Sequence, residues 1–292
     1  MISILIATYQ WDTEALVERL VLEISSKKLV AEIICIDDAS GFVQSERFHS
    51  FPYLQYSVLD TNIGRSAIRN RLAKQAKYPL LLFLDADSLP VGHDFLSDYL
   101  VAATSVDVVC GGTSYYNTPP SKRTELLRWT YGKEREERSA SKRLIDPYVS
   151  FTSNNFLISK LVFDRFPFDE EIREYGHEDT LFGIGLKENK VSISHIDNPV
   201  YHLGLDDGAV FLSKTEQAVV NLSKLYNKGL IGKEVRLIAA FLKLRALGLT
   251  YIFRVYFRMI EKKLIKNLLG EHPSLRKMDL YKLGLFVQQM KQ

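Results

Sequence analysis

The chain has 292 residues, 46% of them hydrophobic and 25% charged, a formal net charge of +3 and two cysteines. This balance excludes global disorder and suits one large domain or a domain with an appendage. Cys35 and Cys110 lie inside apolar runs, as small core residues do, which argues against a disulfide framework or a zinc site.

Residues 1–6, Met-Ile-Ser-Ile-Leu-Ile, lack a basic start or a small-residue cleavage pattern and read as a first strand rather than a signal peptide. A cytoplasmic protein is expected. Strands are predicted over 2–7, 32–37, 54–59, 80–85 and 106–110, and helices over 13–28, 65–77 and 94–104, the first entered through Asp12 or Thr13. Such alternation predicts an α/β fold, a mostly parallel sheet with helices on both faces and ligands at the carboxyl ends of its strands. Residues 118–143, with Pro119-Pro120 and the charge run 133–138, read as a solvated helix or mobile loop. Residues 151–185 are rich in aromatics and acids, unusual for a plain core. A strand over 191–196, a helix over 212–228 and one or two long helices over 233–269 complete the pattern.

Asp85-Ala86-Asp87 closes the apolar run 80–84. Residues two apart on a strand point the same way, so Asp85 and Asp87 can hold one hard cation suited to a diphosphate. An acidic turn capping a buried strand is the plain alternative. The loop after the first strand, Ala7-Thr8-Tyr9-Gln10-Trp11-Asp12, has no glycine to bring backbone amides onto phosphate. A diphosphate there would need its charge met otherwise, and a metal on Asp85 and Asp87 would meet it. Asp37-Asp38 places further acids at the same edge, where a carboxylate accepts a base N–H or caps a turn. In Asn62-Ile63-Gly64-Arg65 through Arg69-Asn70, Gly64 permits a tight entry, and Arg65 and Arg69 share a helix side toward an anion or toward solvent.

In order and spacing, Thr8-Tyr9, Asp37-Asp38, Asn62-x-Gly64 with Arg69-Asn70, Asp85-x-Asp87 and Glu178-Asp179 resemble the family-2 glycosyltransferases of GT-A fold, over roughly the first 205 residues. The resemblance implies a GT-A catalytic domain over 1–228, with a nucleotide-binding half (1–112) and an acceptor half (113–228); the tail lies outside it, and residues 229–292 read as a basic amphipathic helical extension. It implies that Thr8, Tyr9, Asn62, Gly64 and Ala86 line the nucleotide, that Asp38 or Asp37 reads the uracil edge, and that Arg69 approaches base or phosphates. It assigns Asp87 and Asp85 to ribose and a divalent metal, Mn²⁺ or Mg²⁺, with His202 as a third ligand. Asp179, beside Glu178, becomes the catalytic base. Asn154 and Asn155 become acceptor-binding residues, as does His177, which stands where the family often has Trp.

The implied activity is an inverting hexosyl transfer from a nucleotide sugar, of UDP type, to a glycan or lipid-linked acceptor in cell-envelope polysaccharide synthesis. Two alternatives stand beside it. One is a haloacid-dehalogenase-like phosphatase with Asp85 as nucleophile, although Ser88 stands where that family has Gly. The other is a non-catalytic membrane-associated protein. Residues 228–292 carry 14 Lys or Arg against 4 Asp or Glu, a local +10 that leaves −7 on the first 227. Within 233–266, Arg236, Lys243, Arg254 and Arg258 share one helical sector and apolar residues fill the rest. No stretch there reaches the roughly 18 uncharged apolar residues of a membrane span. This segment reads either as a peripheral contact on the inner face of the plasma membrane or as a helix packed on protein. No nucleic-acid-reading module accompanies the charge.

Overall fold

A strand apolar at nearly every position buries both its faces, and the first strands do so in a parallel array. In the computed structural model, which describes residues 1–172 and 176–290, such strands are β1 (Ile2–Thr8), β2 (Ala31–Asp37) and β4 (Leu80–Asp85), while β3 (Leu54–Val58) joins the parallel array as a half-exposed edge strand. The later strands are β5 (Ser88–Pro90), β6 (Val108–Cys110), β7 (Thr113–Ser114), β8 (Asn155–Ser159), β9 (Ile193–His195) and β10 (Val200–His202). The main sheet runs β3-β2-β1-β4-β8-β6-β9, and a small sheet runs β5-β10-β7. The pairs among β1 to β4 are parallel, β8 is antiparallel to both β4 and β6, and β9 is parallel to β6. The architecture is thus α/β with a mostly parallel sheet, as the alternation predicts.

Strand parity divides the core. Ile2, Ile4, Ile6, Ile33, Cys35, Leu82 and Leu84 face the helices Glu14–Lys27 and Phe95–Ala102. Leu5, Ile34, Ile36, Leu81 and Phe83 face the helices Arg65–Gln75, Lys160–Arg165 and Glu178–Glu188. The phenylalanines of 151–185 belong to this second layer: Phe83 stacks on Phe156 at 4.9 Å and Phe168 on Phe182 at 4.3 Å. They are core residues after all. The first helix is capped from Asp12, whose carboxylate accepts the Glu14 N–H at 2.9 Å. Ser3 breaks the apolar run of β1, and its hydroxyl donates to Glu32 at 2.6 Å, so a buried acid is satisfied at the end of the sheet away from Asp85.

The chain forms two compact units interleaved in sequence: 1–115, 137–173 and 178–204 make one, and 116–136, 174–177 and 205–292 the other. The second unit is helical, built on Leu126–Tyr131, Gly208–Asn227, Arg236–Ala246, Thr250–Leu268 and Leu275–Gln289. Its core joins Leu127, Phe211, Leu212, Phe257, Leu264, Leu268, Met278 and Tyr281. Of the one or two long helices expected over 233–269 the structure has two, parted at 247–249, where Gly248 takes φ 69°. Residues 118–143 are better anchored than a mobile loop. Arg128 and Arg143 within them are buried, and Arg128 donates to Glu136 at 3.0 Å.

Candidate active site

The carboxyl edge of the parallel strands gathers most of the residues singled out from the sequence. Register sets Thr8 beside Asp37, Ala7 beside Asp85 and Asp37 beside Val58. Asp37 is buried and accepts both the backbone N–H and the hydroxyl of Ser40 at 2.6 Å, which fixes the turn after β2. Asp38 is buried as well. Its Oδ1 accepts the Ile63 N–H at 2.8 Å and its Oδ2 the Gly64 N–H at 3.0 Å, while Asn62 donates to the Asp38 carbonyl at 3.1 Å. One carboxylate therefore ties the loop after β2 to the loop after β3. Gly64, at φ 85°, supplies the left-handed entry to helix Arg65–Gln75 that a side chain would resist. Thr8 turns inward, its hydroxyl donating to the Trp11 carbonyl at 3.3 Å, and Tyr9 stands exposed. Asn62 and Gly64 also line a polar groove of about 630 Å³ with Arg71, Lys74 and Glu170, three residues that no sequence motif marks.

The two arginines of the helix part company. Arg69 is buried over the Phe168 ring and donates to Asp85 at 2.8 Å, whereas Arg65 is exposed and lies 3.6 Å from Glu178. Strand parity ends at Asp85, because Ala86 and Asp87 lie in the turn between β4 and β5. Asp87 and Asp85 accordingly make separate contacts. Asp87 Oδ2 lies 3.3 Å from His202 Nε2, a pairing set by the antiparallel match of Ser88 with His202. His202 Nδ1 is buried without a hydrogen-bond partner, so its polar contact is made through Nε2. The ring of Tyr115 lies 5.6 Å away. A Cβ on Gly204 would come within 2.2 Å of Asp87 Oδ2, so glycine there is what admits the carboxylate.

Among the described residues no three His, Cys, Asp or Glu side chains converge on one point. Asp87 and His202 do suit a cation that takes its remaining ligands from diphosphate and water. Two donors about 2.1 Å from an octahedral ion stand about 3 Å apart, near the observed separation. Asp85, held by Arg69, stands outside that pair.

Asp179 opens helix Glu178–Glu188. Its Oδ2 accepts the Ser153 N–H at 3.1 Å, and its Oδ1 is shut from solvent with no hydrogen-bond partner. Burial, then the neighbouring charge of Glu178, push its carboxyl from 3.8 up to about 6, against the opposing pull of Arg69 and Ser153. His177 precedes the pair at φ 72°, a backbone region that non-glycine residues rarely enter. The approach to β8 links these parts: Ser153 holds Asp179, and the Asn154 carbonyl accepts the Asp85 N–H at 3.0 Å. The side chain of Asn154 donates to Thr113 at 2.9 Å. Asn155 points into the core instead, accepting from Tyr99 at 2.7 Å and donating to the carbonyls of Gly112 and Asn198 at 2.8 and 3.0 Å. Its amide braces the sheet edge. Ser153, which no sequence reading assigned a role, orients the carboxylate through its backbone N–H and its side chain.

Residues 3–165 match the model of glycosyl transferase family 2. The chain belongs to that family. No curated protein matches the sequence of this family-2 chain. Among solved structures, it is similar to S. aureus TarS 1–349 in complex with UDP-GlcNAc, with a TM-score of 0.50 and 20% identity over 75% of this chain and 65% of that one. Crystal structures of S. aureus TarS 1–349 and of S. aureus TarS score 0.48 at 19% identity, each over 75% of this chain and over 64% and 39% of theirs. At such identities the likeness is one of fold. The family-2 chain spans less than two thirds of each of these proteins.

Proposed function

We propose that this family-2 chain is an inverting glycosyltransferase, moving a sugar from a nucleotide-diphosphate sugar of UDP type to a hydroxyl of a glycan or lipid-linked saccharide. The observation that carries the reading is the Asp179 carboxylate: one oxygen is fixed by Ser153, and the other is buried and unpartnered, with the acidity shifted toward neutrality. A base so placed accepts a proton well near neutral pH, because its affinity for the proton is matched to the medium. Asp179 takes the proton of the acceptor hydroxyl. The resulting oxygen attacks the anomeric carbon on the face opposite the diphosphate, the bond from that carbon to the diphosphate oxygen breaks, and the configuration inverts once.

The other groups position the reactants. Exposed Tyr9 offers a ring for a base to stack on, Thr8, Ala86, Asn62 and Gly64 border the nucleotide, and Asp38 holds the loop that forms this wall. Arg69 neutralises Asp85 and keeps a positive charge near Asp179. Asp87 and His202 would hold a divalent cation, Mn²⁺ or Mg²⁺, whose charge offsets that of the diphosphate. Asn154 and His177 are assigned to the acceptor side. The UDP assignment draws support from the UDP-GlcNAc complex of TarS. The phosphatase reading loses its nucleophile, since Asp85 is engaged by Arg69.

The test is turnover of a panel of UDP-, GDP- and dTDP-sugars with Mn²⁺ or Mg²⁺, read as donor hydrolysis and as transfer to saccharide acceptors. We expect a UDP-sugar to turn over, Asp179→Asn to lower the rate by roughly 10²-fold or more, and Asp87→Ala to remove the metal dependence of donor binding. Absence of binding by any nucleotide sugar, or an Asp87→Ala variant with unchanged metal dependence, would sink the proposal.

A further inference from the structure

The helix Thr250–Leu268 is apolar on two opposite sides. One side is spent on the core of the helical unit, where Phe253, Phe257, Ile260, Leu264 and Leu268 pack against the helices around them. The other side should be polar in a helix that faces water. It is instead formed by Tyr251, Ile252, Val255, Tyr256 and Met259, of which Tyr251 is 64%, Ile252 62% and Met259 75% exposed. At 100° per residue these five fall within one sector, opposite the buried stripe. Leu247 (70% exposed) and Leu249 continue the strip through the break that precedes the helix.

Cations accompany the strip: Lys243 and Arg245 precede it in sequence, Arg258 borders it, and Lys262, Lys263 and Lys266 follow it on the same sector, all exposed. The helix has one acid, Glu261, which lies toward the buried side near Tyr281. Arg254 is not part of the display: its guanidinium caps the helix Leu275–Gln289 by donating to the carbonyls of Val287 and Met290 at 3.1 and 2.8 Å. No described helix is long and apolar enough to cross a membrane.

We propose that this face, from Leu247 to Lys266, is a docking surface for an anionic lipid membrane, with the apolar strip entering the interface and the lysines and arginine meeting acidic headgroups. An apolar strip bordered by cations and free of acids is the pattern of a helix lying in the plane of a bilayer, and the two tyrosines suit the headgroup depth. Charge argues against a second copy of the chain as occupant. Because the charged groups on and beside the strip are all cationic, a second copy offers no acid to meet them. The inference does not depend on the reaction proposed above.

The experiment is co-sedimentation of the full chain with vesicles of phosphatidylcholine alone and with vesicles in which about a third of the lipid is phosphatidylglycerol. The chain should partition to the anionic vesicles and be released by salt. Lys262→Gln/Lys263→Gln/Lys266→Gln should weaken partition on the order of 100-fold, at about fivefold per lysine. Ile252→Ser/Met259→Ser should weaken it at least about tenfold through lost apolar burial. Both variants should keep the wild-type thermal midpoint, since neither face nor charges touch the core. Failure of the wild type to bind anionic vesicles overturns the proposal. So does unchanged binding by the lysine variant, or a concentration-dependent dimer that Ile252→Ser/Met259→Ser abolishes.

Discussion

Replacing Asp179 with Asn should make the protein more stable and nearly inactive, and the gain in stability should depend on pH. The carboxyl sits at about 6 in the folded chain against 3.8 for an ordinary aspartate. Between those values the folded chain keeps a proton that the unfolded chain has released, so stability falls as pH rises through that window and stays low above it. The full difference corresponds to about 3 kcal/mol at pH 8 and to about 1 kcal/mol at pH 4.5. Asn keeps an oxygen for the Ser153 N–H and carries no charge to bury, so the variant escapes this cost. Urea unfolding of wild type and Asp179→Asn at both pH values measures it, and the stability gap should widen by about 2 kcal/mol on going from pH 4.5 to 8. In the same window the wild-type transfer rate should rise with pH as the base loses its proton. A gap that is absent, reversed or constant with pH would show that Asp179 is not held ionised against its surroundings, and the argument for its role as base would fail with it.

Three further outcomes are expected. Arg143→Met should cost about 3 kcal/mol or more, read as a lower urea midpoint at unchanged slope, because the guanidinium donates to the carbonyls of Cys110, Gly111, Arg138 and Ile196 and to His195 Nδ1. Gly204→Ala should weaken Mn²⁺-dependent donor binding about tenfold by displacing Asp87, measured by calorimetry, with little change in donor binding without metal. Gly284→Ala should destabilise the helical unit by about 1–3 kcal/mol, seen as a lower thermal midpoint, since its Cβ would lie 2.0 Å from the Phe257 ring.

The edge of the sheet was legible because its signals are local. Apolar runs end in acids, parallel strands align those ends, and so Asp37, Asp38 and Asp85 had to come near one another. What became of each acid was not legible, because it depends on partners far along the chain. Asp38 is held by amides 25 and 26 residues away, and Asp85 by Arg69. The expectation that Asp85 and Asp87 share a face rested on extended geometry continuing for two residues beyond the point where the strand turns. β8 escaped notice because Asn155–Ser159 is too short for periodicity to separate strand from loop, and its antiparallel place between β4 and β6 is a tertiary fact. The helix Leu275–Gln289 falls within the helical extension expected over 229–292, but its own bounds were not legible, its apolar residues lacking a clear periodic face.

The interleaving of the two units has a consequence for biosynthesis. Leu127 and Tyr131 belong to a core whose other members, Phe211, Leu212 and the residues from 253 onward, leave the ribosome much later. At 5–20 residues per second, the wait for Phe257 is on the order of ten seconds. Through that interval the segment 116–136 has its own apolar side chains uncovered, while the strands on either side of it in sequence can already begin to pair. The nascent chain is then most exposed to chaperones and proteases at this early helix, and a stop or deletion within the last helices would leave the same segment uncovered permanently.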